Sequence, residues 1–140
     1  PTGPAAPKAT HAVTRTAWTT PIGSSCTNYT AGEITVTAPV AGKIAVRANV
    51  NLSVNHLQGT MDRVYVSIGT SPADCPDISG FDVDIWEIPL SPTSQFSPWV
   101  YPMKEFTVAA GTYTYYINGR VSSGNASFYW GALEATFIPD

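Results

Sequence analysis

Charge is what this 140-residue chain has least of. Charged side chains make up 12% of it, against about 25% in a typical soluble protein, and lysine occurs only at Lys8, Lys43 and Lys104. With a formal net charge of -3 and no basic cluster, the chain has no cationic stripe for a phosphate backbone, which argues against nucleic-acid binding. The apolar runs are short strands, far below the roughly 20 residues of a membrane helix, so no membrane insertion is expected. The N-terminus lacks a charged-then-apolar leader, so any signal peptide is expected to have been removed or to belong to a longer parent chain. Histidine occurs only at His11 and His56, and there is no GxSxG, GxGxxG, Walker loop or CxxC pair. Triad, dinucleotide, phosphate-loop and zinc chemistry therefore have no sequence support, and no catalytic residues are assigned. No stretch carries the helical period.

Strand periodicity fills that gap. From Lys43 to Asn55 polar and apolar residues alternate without a break, with Ile44, Val46, Ala48, Val50, Leu52 and Val54 on one face. Period two defines a strand with one dry side. Seven more runs read the same way: His11 to Trp18, Glu33 to Ala38, Arg63 to Thr70, Phe81 to Leu90, Met103 to Val108, Thr112 to Ser122 and Ser127 to Ile138, separated by Gly, Pro, Asp and Ser turns. About eight antiparallel strands at this spacing predict an all-β jelly-roll sandwich. One domain, 11–140, is large enough to bury roughly two-thirds of its unfolded surface, preceded by a flexible Pro-rich arm over 1–10. Thr, Ser and Gly dominate the remainder, a surface kept soluble by hydroxyls and amides as in exported or virion proteins.

Cys26 and Cys75 are the whole thiol inventory. Bridged, they would close a loop of about 50 residues, worth about 4 kcal/mol by chain entropy; the alternative is two separate buried thiols. Asp74, Asp77, Asp82, Asp84 and Glu87 crowd carboxylates into fourteen positions. Asp74, Asp77, Asp82 and Asp84 are the candidate calcium ligands because calcium takes six to eight oxygens, although the spacing matches no EF-hand and solvated carboxylates give the same pattern. Asp82 and Asp84 share a strand face about 7 Å apart, compatible with but not indicative of a glycosidase pair.

Aromatic residues are the stronger clue. Trp99 and Tyr101 sit between Pro98 and Pro102, and Trp86 falls on the polar face of its strand; these three are the candidate glycan- or receptor-binding residues. Adjacent Tyr115 and Tyr116 must point to opposite faces, and if Tyr129, Leu133 and Phe137 pack inward then Phe128 and Trp130 face outward. Tyr116, Phe128 and Trp130 are accordingly the candidate subunit-interface residues. Exposed rings on a sheet serve either purpose, burial against identical subunits or stacking on sugars. Asn28-Tyr29-Thr30, Asn51-Leu52-Ser53 and Asn125-Ala126-Ser127 fit the N-glycosylation rule.

The stretch Pro39, Ala41-Gly42 and the long alternating strand, then Phe106-Thr107-Val108-Ala109-Ala110-Gly111-Thr112-Tyr113 and the closing Phe128-Tyr129-Trp130-Gly131-Ala132-Leu133 resemble the C1q and tumour-necrosis-factor jelly-roll superfamily. Gly3-Pro4-Ala5-Ala6-Pro7-Lys8 is similar to the end of a collagen-like stalk, or is a plain Pro-rich leader. The segment Pro72 to Gly80 and its cysteine do not map onto the family. The resemblance implies a homotrimer: a non-catalytic recognition or adhesion head on an extracellular, cell-surface or virion appendage, binding a protein or glycan receptor. The alternatives are a monomeric carbohydrate-binding module of a secreted enzyme and a structural capsid or filament subunit. No cofactor is expected beyond the calcium just considered.

Overall fold

The computed structural model describes residues 10–59, 61–75 and 95–140 in full and residues 83–88 and 94 by their backbone. Nearly all of the expected Pro-rich arm, 1–9, lies outside the described residues. Among the described residues the chain forms eleven strands: β1 His11–Thr16, β2 Thr20–Ile22, β3 Thr27–Ala38, β4 Gly42–His56, β5 Asp62–Gly69, β6 Val83–Ile88, β7 Ser94–Phe96, β8 Trp99–Val100, β9 Met103–Val108, β10 Gly111–Ser123 and β11 Ala126–Pro139. The eight expected runs are all present; β2, β7 and β8 are short additions, and β3 starts six residues earlier than its alternation suggested.

The strands build two antiparallel sheets. One runs β1-β11-β4-β7, with β2 beside β11 and both β8 and β9 beside β4; the other runs β3-β10-β5-β6. Apart from the β5–β6 hairpin, successive long strands change sheet at each connection, which makes the sandwich a jelly roll. The longest contact is β11 on β4, in register from Ala126↔Val54 to Pro139↔Gly42.

Alternation works as read for β4. Ile44, Val46, Ala48, Val50, Leu52 and Val54 are all buried, facing Ile34, Val36, Val64, Val66, Ile68, Tyr115 and Ile117 from the opposite sheet. At about 25 cal/mol per Å² of apolar surface, these interleaved aliphatic faces dominate the folding free energy. The sulfurs of Cys26 and Cys75 form a disulfide, tying the turn before β3 to the loop after β5. That loop folds back over the second sheet, where Asn118 Nδ2 donates to the carbonyls of Ser71 and Asp74, each at 2.8 Å. Gly69 permits the approach, since a Cβ there would lie 2.3 Å from the Asp74 carbonyl.

Two polar features of the core were not anticipated. His56 continues the inward series of β4 and is buried, its Nδ1 paired with buried Asp62 Oδ2. Asp62 Oδ1 also accepts the Asn125 backbone N–H at 3.0 Å, so the β10–β11 turn caps the pair. Tyr29 stacks on Phe128 with ring centroids 4.7 Å apart. Burial pushes the Tyr29 hydroxyl up to about 12, opposed by the Thr16 hydroxyl. The Thr16 proton itself goes to the Thr30 carbonyl, so the Thr16 oxygen is near the Tyr29 hydroxyl without a well-formed bond to it, and among the described residues the buried Tyr29 hydroxyl has no hydrogen-bond partner. Burial likewise raises Tyr115 to about 12, with Tyr113 adding to the effect.

Candidate functional site

The odd-numbered residues of β4 point away from the core and form the middle of the outer face of the seven-stranded sheet. Register brings Val13 of β1, Glu134 of β11, Arg47 of β4 and Met103 of β9 into one row across it. Arg47 Nε and Nη2 donate to Glu134 Oε2 at 3.1 and 2.8 Å, and His11 Nε2 contacts Glu134 Oε1 at 2.9 Å. The hydrogen bond from His11, then that from Arg47, holds the Glu134 carboxyl below its usual range. Lys43 pairs with Glu105 at 3.3 Å in the same area. These exposed pairs orient the strands more than they stabilise them. The small side chain of Ala45 leaves a shallow depression of about 460 Å³ between Arg47, Met103, Glu105, Glu134 and Thr136.

One row of the sheet is aromatic. Asn51 pairs with Trp130 on β11 and with Trp99 on β8, so the two indoles flank it and meet edge to face, centroids 5.4 Å apart. Asn51 is buried and holds the loop that delivers Trp99: its Nδ2 donates to the carbonyls of Ser97 and Pro98 at 3.1 and 3.2 Å, while Ser97 Oγ donates to its Oδ1 at 3.1 Å. The Leu52 and Ala48 amides hold the Pro98 and Pro102 carbonyls, each at 2.9 Å. A Pro-bounded segment, unpromising as a strand, is thus clamped to β4 at both ends. Trp99, Tyr101, Met103 and Tyr129 keep 46%, 59%, 65% and 55% of their surface exposed.

The sequence-based site residues are distributed differently from expectation. Trp99 and Tyr101, read as ligand-binding, share a face with Trp130, read as interface. Phe128 does not face outward: it is fully buried on Tyr29, which corrects its assignment to the subunit interface. The cause is a β-bulge. Phe128 pairs with Leu52 and Trp130 with the adjacent Asn51, leaving Tyr129 as the extra residue. Parity counted back from Leu133 and Phe137 therefore inverts beyond Gly131, burying Phe128 and turning Tyr129 outward. Tyr116 is half-buried on the outer face of the other sheet, paired in register with Glu33 and Gly69. Trp86 lies on β6 of that sheet with its backbone opposite Val64.

Asp74 turns its carboxylate back on its own loop, Oδ2 accepting from the Thr70 N–H at 2.9 Å and the Thr70 hydroxyl at 3.0 Å. Asp77, Asp82 and the Asp84 side chain lie outside the described residues. No group of three or more metal-ligating side chains comes together among the described residues. Of the three glycosylation triplets, Asn51 is buried and the Asn28 amide is bonded to Ile117 and Asn118, whereas Asn125 is exposed at the β10–β11 turn. No helix among the described residues is long and apolar enough to cross a membrane.

No family model matches the chain, and no curated protein matches it. Among solved structures it is similar to the Eiger TNF of S. frugiperda, at 11% identity over 94% of this chain and 92% of that one, TM-score 0.48. It is similar also to the carbohydrate binding module CBM6cm-2 from Cellvibrio mixtus lichenase 5A, solved in complex with cellotriose, at 12% identity over 85% of each chain, TM-score 0.29. A third likeness is to a chain of infectious bursal disease virus, Gx strain, at 7% identity over 92% of this chain and 32% of that one, TM-score 0.39. The fold assignment rests on the strand order itself.

Proposed function

We propose that this domain is a non-catalytic recognition head that assembles as a homotrimer through the outer face of its seven-stranded sheet. The observation that carries this reading is the unequal chemistry of the two outer faces among the described residues. On the four-stranded sheet, Thr35 and Thr37 bond across to Thr114 and Thr112, and Arg120 covers Tyr65 with its guanidinium 5.1 Å from the ring centroid. On the seven-stranded sheet and its edge connection lie exposed Val13, Trp99, Tyr101, Met103 and Ile138. Large apolar side chains exposed together on one sheet mark an association surface, and the ion pairs between them supply it with polar contacts.

The buried His56–Asp62 pair is closed to solvent and belongs to the core. The Cys26–Cys75 disulfide suits an extracellular or virion-surface setting. Light scattering coupled to size exclusion tests the reading. A mass near three times 14.9 kDa is expected for the native chain, falling towards the monomer in Met103→Glu, whose side chain is 65% exposed and so dispensable for folding. A native monomer at all concentrations overturns the assembly and leaves the aromatic face for a ligand, as in a carbohydrate-binding module.

A further inference from the structure

The bulge that buries Phe128 does something else at the end of the same face. It ejects Tyr129, 55% exposed, over an open notch of about 390 Å³ lined by Ser53, Gln95, Phe96, Ser97 and Tyr129. The size lies within the range of small-ligand sites. Bulges are a common means of re-aiming one side chain beside a binding site.

The lining differs in kind from the rest of the face. The two depressions in the middle of the sheet both carry Arg47 and Glu134, whereas no charged side chain lines this notch among the described residues. It offers the exposed Tyr129 ring beside half-buried Phe96, with the Ser53 and Ser97 hydroxyls and the Gln95 amide around them. The Ser97 hydroxyl gives its proton to Asn51 Oδ1 and so presents lone pairs outward. Gln95, exposed and opposite Asn55 in the β4–β7 pairing, can both donate and accept. The frame is rigid: Asn51 holds the Ser97 carbonyl, and Phe96 rests edge-on against buried His56 at 6.0 Å between centroids.

An apolar ring edged by neutral groups that donate and accept is the complement of a pyranose, whose C–H face stacks while its equatorial hydroxyls bond sideways. We infer that the Tyr129 notch binds a pyranose unit of an uncharged glycan. The inference rests on the recognition reading above and names its ligand class. It moves the sugar contact from Trp86, Trp99 and Tyr101 to the bulge, leaving the ion-paired middle of the face to subunit contact.

The test uses the full chain against uncharged gluco-, manno-, galacto- and xylo-oligosaccharides, with polygalacturonate as an acidic control, read by saturation-transfer NMR and calorimetry. Transfer from tyrosine protons to the sugar C–H protons of at least one neutral probe is expected. Tyr129→Ala should weaken that probe roughly tenfold or more, and Tyr129→Trp should restore it. Absence of binding by every neutral probe, preference for polygalacturonate, or affinity unchanged in Tyr129→Ala overturns the inference. Solution mass recorded on the same samples separates the two proposals. A trimer without sugar binding removes the notch alone, whereas a monomer that binds through Tyr129 removes the assembly alone.

Discussion

Replacing Phe128 with alanine distinguishes a core ring from an interface ring. Phe128 is fully buried and lies parallel to Tyr29, 4.7 Å between centroids with an interplanar angle of 4°. Truncating a buried phenylalanine costs about 3–5 kcal/mol from lost transfer energy plus the residual cavity, and the lost stack adds about 0.5–1.5 kcal/mol. The cavity cannot close cheaply. Its walls are β-sheet backbone, with Gly119 so near that a Cβ there would lie 2.8 Å from Phe128 Cζ and 2.9 Å from the Tyr65 carbonyl. Taking about 4 kcal/mol and a urea slope of about 2 kcal/mol/M, the unfolding midpoint should fall by roughly 2 M. Equilibrium urea unfolding followed by tryptophan fluorescence measures the shift, with solution mass recorded on the folded variant. A midpoint within about 0.5 M of native, accompanied by a changed oligomer mass, would place Phe128 at a subunit contact and refute the phase inversion at Tyr129.

Three further outcomes follow from buried groups. Tyr29 and Tyr115, both raised to about 12 from an ordinary 10.0, stay protonated in the folded state after the unfolded chain has begun to ionise. Their contribution is therefore whole below pH 10 and drains away between pH 10 and about 12, by up to about 5 kcal/mol for the pair; urea midpoints should fall across that window. Gly124→Ala should cost several kcal/mol, because φ is +85° there and a Cβ would lie 1.8 Å from Asp62 Oδ1. The left-handed backbone alone accounts for about 1–2 kcal/mol and a displaced buried Asp62 for about 3–5 kcal/mol; a calorimetric midpoint unchanged from native would show that the turn does not cap the pair. The double variant Cys26→Ser, Cys75→Ser should lose about 4 kcal/mol in denaturant unfolding, and a loss under about 1 kcal/mol would show that the bridge constrains the unfolded chain far less than chain entropy requires.

Much of the sandwich was legible because strand parity is a local property. Side chains two apart share a face whatever the strand later pairs with, so Ile44 through Val54 declared their side of β4 from spacing alone. The same series points at His56, one step further along, and its burial could have been read from that continuation. The Cys26–Cys75 bridge was available because two cysteines allow one pairing. The all-β class, the inward face of the longest strand and the single pairing open to its cysteines thus depend on neighbours along the chain or on simple counting; the bond itself is seen in the fold. The extra residue at Tyr129, the meeting of Trp99 with Trp130 over Asn51, and the closing of Asp62 onto His56 beneath the Gly124 turn came with the folded chain alone. These arise from register between segments distant in sequence, where one residue of slip reverses every side chain beyond it and no local pattern records the slip.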